Sequence, residues 1–84
     1  MNKVNPAPHL VARWCAKEAV IKALSGIGIN FIEFTQIEIV NNTEGYPEVY
    51  IHDPRCESFE SKVSLSHSAN MVMATAIIIS MDKQ

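Results

Sequence analysis

Three charged side chains lie close together in the first third of the chain, in a segment with helical spacing. Lys22 follows Glu18 by four residues, and Lys17 directly precedes it. At about 100° per residue, Glu18 falls beside the apolar Trp14 and Ile21. Periodicity alone favours an ordinary surface ion pair between Glu18 and Lys22. The functional alternative is a carboxylate that holds Mg²⁺ while lysines bind phosphate oxygens, because hard cations prefer carboxylate ligands.

A second polar cluster comes at the end of a predicted strand. Serines flank His67 in the run Ser64–Ser68, and Ser66 directly precedes it. Such serines can bind a phosphate or a base, and they can equally form the polar edge of a sheet. The chain has no G-x-S-x-G turn and no acid obviously paired with His67, so a hydrolase triad is not indicated. Taken alone, His67 is more typical of a structural histidine.

The remaining candidate side chains carry weaker signals. His52 and Cys56 could bind a metal ion, but two ligands without a second pair do not make a zinc site. Cys15 is expected to be a buried thiol on an alanine-rich helix. The two cysteines are too few for a disulfide framework, and the N-terminal residues form no apolar signal core. The resulting expectation is a reduced, cytoplasmic protein.

The composition of the 84-residue chain predicts one small domain, residues 1–84, in which residues 1–8 form an extended lead-in. Seven basic against nine acidic residues give a net charge of −2, which disfavours nucleic-acid binding. The apolar run 71–79 is much shorter than the roughly 20 residues of a membrane-spanning helix, so no membrane association is expected. Because 48% of so small a chain is hydrophobic, we expect a homo-oligomer that buries part of this surface.

The order of elements follows from periodicity and turn residues. A helix is predicted from His9 to Leu24, starting just after Pro8, and the glycines of Ser25–Gly28 end it. Strands are predicted from near Phe34 to Ile39, at Pro47–Ile51 after the turn Asn41–Gly45, at Val63–Ser66, and at Met71–Ile79.

Two of these segments need further comment. Residues 56–60 fit either a short helical turn or a loop. Met71–Ile79 is apolar at both parities, which is typical of a central strand covered on two faces. The outline is one helix packed on a small, mainly antiparallel sheet, which is the α+β class.

Four groups of residues, in this order, resemble the 4′-phosphopantetheinyl transferase superfamily. The matching segments are Trp14–Leu24, Ser25–Gly28, Ile37–Ile39 with Gly45–Pro47, and Val63–His67 with Ala74–Ile78. They are similar to the family's helix signature W/F-x-x-K-E-A-x-x-K-A, the glycine-containing turn after it, the E-I/E-V and G-K-P hairpin, and the closing V-S-I-S-H and A-x-A-V-V. The one-helix form resembles the holo-acyl-carrier-protein synthase type.

The resemblance implies a reaction, a cofactor and partners. Members of the family transfer 4′-phosphopantetheine from coenzyme A (CoA) to a serine of an apo acyl carrier protein, a step of fatty acid and lipid metabolism. The other product is adenosine 3′,5′-bisphosphate, and the cofactor is Mg²⁺. The subgroup typically forms trimers with CoA between subunits, which agrees with the expected homo-oligomer.

The resemblance also implies roles for individual residues. Glu18 corresponds to the metal-binding glutamate that meets the pyrophosphate, and Lys22 to the lysine that contacts the phosphates and assists the leaving group. The further residues implied to bind CoA are Lys17, Gly45, Pro47, Ser66 and His67. Phosphoryl transfer mainly needs charge neutralisation and alignment, which this set of side chains can supply.

The chain departs from the family pattern in its first residues and in the hairpin. Family members usually begin with a strand that carries a second metal-binding aspartate, whereas the eight residues before His9 contain no acid, and the two aspartates are Asp53 and Asp82. Tyr46 replaces the usual lysine of G-K-P. Three interpretations stay open: part of a longer transferase, a short form completed by a partner chain, or a relative that binds CoA or a carrier protein without transfer.

Overall fold

The computed structural model of the chain describes residues 8–81. The predicted lead-in lies outside these residues except for Pro8. Pro8 is the first residue of a helix rather than part of an extended segment. Proline suits this position because its fixed φ is helical and its missing N–H is not needed in the first turn.

Helix α1 (Pro8–Gly26) runs two residues past the predicted end. The chain leaves it through Gly28, whose φ of 90° lies in the left-handed region, and the N–H of Ile29 donates to the carbonyl of Leu24 at 2.9 Å. The expectation that glycine ends this helix is confirmed. One residue in every four is buried along the inner side: Ala12, Ala16, Val20 and Leu24.

The other side of α1 is also apolar. Leu10 and Trp14 are more than half exposed there, and the Trp14 ring packs 5.7 Å from the ring of Phe34. Cys15, which we expected to be buried, is half-buried. The helix therefore has no single apolar stripe, because small residues face the core while larger apolar residues lie outside it.

A single 3-10 turn, Phe34–Gln36, precedes the first strand, so the expectation that the strand starts near Phe34 is wrong. The N–H of Glu33 donates to the Gln36 side chain at 2.9 Å, and the N–H of Gln36 donates to the Glu33 carbonyl at 2.9 Å. These reciprocal bonds satisfy the backbone locally and delay the strand to Ile37.

Strands β1 (Ile37–Asn41) and β2 (Pro47–Ile51) form an antiparallel hairpin, as predicted. Ile39 lies opposite Val49, and Val49 and Ile51 pack against the core from the same face. The alternation of side chains on a strand thus places one row of the hairpin under α1.

A tight corner follows β2. The undecided segment after Asp53 contains a 3-10 turn, Pro54–Cys56, with Cys56 only 4% exposed. The Asp53 carboxylate accepts from the backbone N–H of Arg55 at 2.9 Å and from its guanidinium at 3.1 Å. These bonds from Arg55 lower the pKa of Asp53 to about 2. The corner fixes the thiol of Cys56 in the core.

Strands β3 (Phe59–His67) and β4 (Val72–Ser80) form a second antiparallel hairpin. The inward side chains of β4 pack on the core, but Met73, Ile77 and Ile79 on its other face are exposed. Within residues 8–81, β4 pairs with β3 alone, so the expectation of a central strand covered on two faces is wrong. A strand with an exposed apolar outer face and a strand covered on both faces have the same sequence pattern, apolar residues at both parities.

The architecture is α+β, as predicted: one helix packs on β1, β3 and β4 of two small antiparallel sheets. β2 lies alongside β3 without pairing to it. In the part of the chain that the structure describes, no helix is long and apolar enough to cross a membrane.

Candidate functional site

Glu18 and Lys22 lie on the side of α1 that faces away from its buried row of residues. Glu18 is half-buried and Lys22 is exposed. The ion pair that periodicity favoured does not form, and among residues 8–81 neither side chain has a salt-bridge partner. A helix-surface pair at this spacing is worth only a few tenths of a kcal/mol, less than the cost of ordering two long side chains. Both groups are therefore available for a ligand.

Lys17 makes a contact within the fold. Its Nζ donates to the backbone carbonyl of Phe34 at 3.2 Å, beside the Trp14–Phe34 ring pair. This bond ties α1 to the turn before β1. The structure shows this structural contact, and the phosphate contact of Lys17 stays a prediction.

The hairpin turn explains why glycine stands at position 45. The Asn42 side chain accepts from the N–H groups of Glu44 at 2.9 Å and Tyr46 at 3.2 Å, which curls the chain tightly. Gly45 takes a φ of 96°, where a side chain would be strained. The turn delivers Pro47 directly into the start of β2.

A cleft of about 720 Å³ opens between α1, this turn and the end of β3. It is lined by Ala12 from α1, by Asn41, Gly45, Tyr46 and Pro47 from the hairpin, and by Val63, Ser64, Leu65 and His67 from β3. Three predicted CoA-binding residues, Gly45, Pro47 and His67, therefore meet in one place although they come from separate elements. We call this space the hairpin cleft.

Ser66 lies next to the hairpin cleft on the outer face of β3, opposite Met73. With His67 it lines a smaller groove of about 210 Å³. His67 borders both spaces, so the predicted pair of Ser66 and His67 joins the cleft to the groove. The structure does not bring Glu18, Lys22 or Lys17 into the lining of either one.

The hairpin cleft combines apolar walls with a few polar groups. Among the described residues that line it, none is a lysine, arginine or carboxylate. Tyr46 presents a half-exposed ring, and its hydroxyl donates to the Glu44 carboxylate at 2.7 Å. A flat ring, a proline and a histidine suit a planar base with a nearby phosphate, because every base has a face that stacks on an aromatic ring.

Comparison with known proteins identifies the family of the chain. The family model described as the 4′-phosphopantetheinyl transferase superfamily matches residues 2–76. The chain belongs to this superfamily. Its match includes α1, both residues of the Glu18–Lys22 pair, and the whole lining of the hairpin cleft.

Individual members of the superfamily show how far the similarity extends. Holo-[acyl-carrier-protein] synthase of Chlorobaculum parvum is 42% identical over 77 residues, which are 90% of this chain and 64% of that protein. The enzyme of the same name from Streptococcus suis is 43% identical over 72 residues, 83% of this chain and 56% of that protein. The chain thus spans between 56% and 64% of the length of these two relatives.

A solved structure confirms the fold. Acyl carrier protein synthase of Mycobacterium tuberculosis is 38% identical, with a TM-score of 0.73, and the match covers 86% of this chain and 68% of that one. At this identity and overlap, the present chain and the solved structure share one fold.

The superfamily implies a metal ion, and Glu18 is the residue that could bind it. Glu18 is half-buried and its carboxylate makes no salt bridge within residues 8–81. The described residues contain no group of three or more histidine, cysteine or acidic side chains that could hold a metal. Mg²⁺ is commonly held by one or two carboxylates together with substrate phosphates, so one carboxylate fits the minimum requirement.

Several lining residues of the hairpin cleft were not predicted to be functional. Ala12, Asn41 and Tyr46 belong to this group, whereas Ser64 lies in the serine run that the sequence offered for phosphate or base binding. Tyr46 could have been found, since it lies between two predicted site residues. Ala12 carried no signal, because only the packing of α1 over the hairpin turn brings it to the cleft.

Proposed function

We propose that the chain is a single domain that transfers 4′-phosphopantetheine from CoA to a serine of an apo acyl carrier protein. The other product is adenosine 3′,5′-bisphosphate. The observation that carries this proposal is the meeting of Gly45, Pro47 and His67 at one cleft, in a member of this superfamily. Relatives of this chain bear the name holo-[acyl-carrier-protein] synthase, which supports the same reaction.

The nucleotide end of CoA would bind in the hairpin cleft. Tyr46 and Pro47 offer flat apolar surfaces for the adenine, and Gly45 lets the backbone approach the ligand closely. His67, which borders the cleft and the smaller groove, and Ser66, which lines the groove, would supply hydrogen-bond donors for the phosphate on the ribose.

The reaction itself needs few groups. The carrier serine oxygen forms a bond to the phosphorus that bears the pantetheine, and the pyrophosphate P–O bond breaks. The serine proton passes to solvent water, and the electron pair of the broken bond leaves with adenosine 3′,5′-bisphosphate. Lys22, exposed and without an ion-pair partner in the described chain, can neutralise charge on the leaving phosphate.

Glu18 would supply a protein ligand for Mg²⁺, together with substrate phosphate oxygens. When bound, the ion neutralises phosphate charge. Glu18 lies one helical turn from Lys22, so both groups can act on the same pyrophosphate.

One observation favours a second function, in which the chain binds CoA or a carrier protein without transfer. Among the described residues, no group of three or more histidine, cysteine or acidic side chains forms around Glu18. A metal ion with one protein ligand binds weakly, and transfer would then be slow or absent while the hairpin cleft still binds CoA.

We also propose that the chain forms a homo-oligomer, a trimer by resemblance to its subgroup. Met73, Ile77 and Ile79 form an exposed apolar row on β4, and isolated apolar rows of this kind are typical of subunit interfaces. Sedimentation of the wild type should show a species of about three chains. Ile77→Glu should reduce it to the monomer, whereas Thr43→Glu, an exposed turn residue, should leave it intact.

The test of transfer is intact-mass spectrometry of an apo acyl carrier protein incubated with this chain, CoA and Mg²⁺. A mass gain of one phosphopantetheine that disappears without Mg²⁺ supports the proposed enzyme. No gain beside an active control enzyme, with CoA still bound by calorimetry, supports the binding function. Failure to bind either CoA or the carrier protein contradicts both.

A further inference from the structure

Phe31 has an unusual conformation in the loop between α1 and β1. Its φ is 66°, in the left-handed region, and it is the one residue other than glycine with a positive φ among residues 8–81. A bulky side chain in this region costs about 1–2 kcal/mol relative to ordinary backbone. Phe31 is also 94% exposed, so its ring gains nothing from burial in the fold.

The loop around Phe31 is fixed on both sides. Ile32 is only 7% exposed, and Ile29 packs against the same core. The hydroxyl of Ser25, in the last turn of α1, donates to the side-chain oxygen of Asn30 in the loop at 2.5 Å. These anchors leave Phe31 no place inside the protein, and they hold its ring out in the solvent.

Folding does not account for this residue. A glycine would remove the backbone strain, and any polar residue would remove the exposed ring. Aromatic side chains that are held rigidly in the solvent are typical anchors of protein–protein interfaces, where their burial contributes a large share of the affinity. The position of Phe31 is thus explained by a contact outside the chain.

We propose that Phe31 is the apolar anchor by which the chain docks the apo acyl carrier protein, an inference that rests on the proposed transfer function. The loop begins at the end of α1, and Gly26 follows Lys22 by about 6 Å along the helix axis. A typical interface of about 800 Å² per partner is a patch about 32 Å across. A folded carrier that presents its serine at Lys22 therefore extends over the end of the helix.

The other substrate does not compete for this loop. CoA has its proposed place in the hairpin cleft, whose lining includes no residue of the segment 27–33. The loop around Phe31 offers apolar contact, since Ile27 beside it is also half exposed. The protein substrate can therefore use the loop while the nucleotide occupies the hairpin cleft.

Phe31→Gly separates docking from folding. We expect the dissociation constant for a fluorescently labelled apo acyl carrier protein to rise about tenfold, which corresponds to about 1.4 kcal/mol. The affinity for CoA should stay unchanged, and the melting temperature should stay the same or rise because the strained backbone is relieved. Phe31→Tyr, which keeps the ring, should bind the carrier as the wild type does.

Tyr50→Ala is the matched control. Tyr50 is an exposed aromatic residue on β2, outside the hairpin cleft, and its loss should leave carrier affinity unchanged. Equal carrier binding by wild type and Phe31→Gly, or equal weakening by Phe31→Gly and Tyr50→Ala, would overturn the anchor while the transfer function stands. A wild-type chain that binds neither carrier nor CoA would instead overturn the proposed function, and the anchor with it.

Discussion

The hairpin cleft and the Glu18–Lys22 pair are built in opposite ways. The cleft collects side chains from α1, the first hairpin and β3, and its shape is set by the turn at Gly45, whose φ is positive, and by packing. Glu18 and Lys22 stand on one helix, with no salt-bridge partner in residues 8–81. The cleft is preformed by the fold, whereas Glu18 and Lys22 obtain their charged partners only from a bound ligand.

This difference suggests a division of labour. Under the proposed function, groups in the preformed cleft should mainly affect how tightly CoA binds, because they would contact a part of the substrate that does not change in the reaction. Groups beside the breaking bond mainly affect kcat, because the charge that they neutralise develops in the transition state. Variants in the two regions should therefore change different constants.

Glu18→Gln should have the largest effect. Removal of the carboxylate charge is expected to lower kcat for transfer by about 100-fold or more, with little change in CoA affinity. The melting temperature should not fall, because the carboxylate makes no ion pair in the described structure. The rate is measured by mass spectrometry of the carrier. Glu57→Gln, at an exposed glutamate without a salt bridge, is the control, and equal rates in the two variants would contradict a role for Glu18.

Lys22→Ala and Lys17→Ala should separate two neighbouring lysines. Loss of Lys22 should lower kcat by about 10- to 100-fold, because a charge on the leaving phosphate is no longer neutralised. Loss of Lys17 should cost about 1 kcal/mol of unfolding free energy instead, since its bond to the Phe34 carbonyl disappears. Urea denaturation and the transfer assay distinguish them. A larger kinetic loss in Lys17→Ala than in Lys22→Ala would assign the phosphate contact to Lys17.

His67→Ala should weaken binding more than catalysis. We expect the dissociation constant for adenosine 3′,5′-bisphosphate to rise about tenfold, the effect of one lost charged or polar contact, while kcat at saturating CoA changes little. Isothermal titration calorimetry measures the first quantity. His52→Ala is the control, because His52 is also exposed but contacts Glu38 at 3.0 Å, away from the hairpin cleft. A fall in kcat alone would place His67 with the catalytic pair.

Asp53→Asn should have the smallest effect on function, because Asp53 belongs to the corner before β3 and to neither region. The bonds from Arg55 hold the pKa of Asp53 at about 2, below its ordinary value of 3.8. The carboxylate therefore stabilises the fold above about pH 4, and this contribution is lost as the pH falls toward 2. Asp53→Asn should flatten the acid part of the stability profile, measured by circular dichroism, and leave transfer at neutral pH unchanged. An unchanged acid profile would contradict the role of the Arg55 pair.

Much of the fold could be predicted because its signals are local. Pro8 and Gly28 bracket α1, and Gly45 marks the hairpin turn. The errors come from interactions that no window of sequence contains. The reciprocal bonds of Glu33 and Gln36 replace the first residues of β1 by a 3-10 turn, and the apolar parity of β4 does not reveal whether its second face is covered.

The candidate site was predicted less evenly. The spacing of Glu18 and Lys22 is visible in the sequence, but it suggested an ion pair that the structure does not contain. The meeting of Gly45, Pro47 and His67 has no local signal, and it was expected only through resemblance to the superfamily. Neither a local pattern nor the family resemblance singled out Phe31, because its distinguishing feature is a positive φ that the sequence does not show.

The burial of Cys56 has a practical consequence. Its thiol is 4% exposed and burial raises its pKa, so thiol reagents can reach it as a thiolate only when the core opens. Cys15 is half-buried on the helix and reacts without such opening. The two cysteines can therefore report on dynamics in one experiment. The rate of modification of Cys15 measures the reactivity of the reagent, and the rate of modification of Cys56 measures how often the core opens.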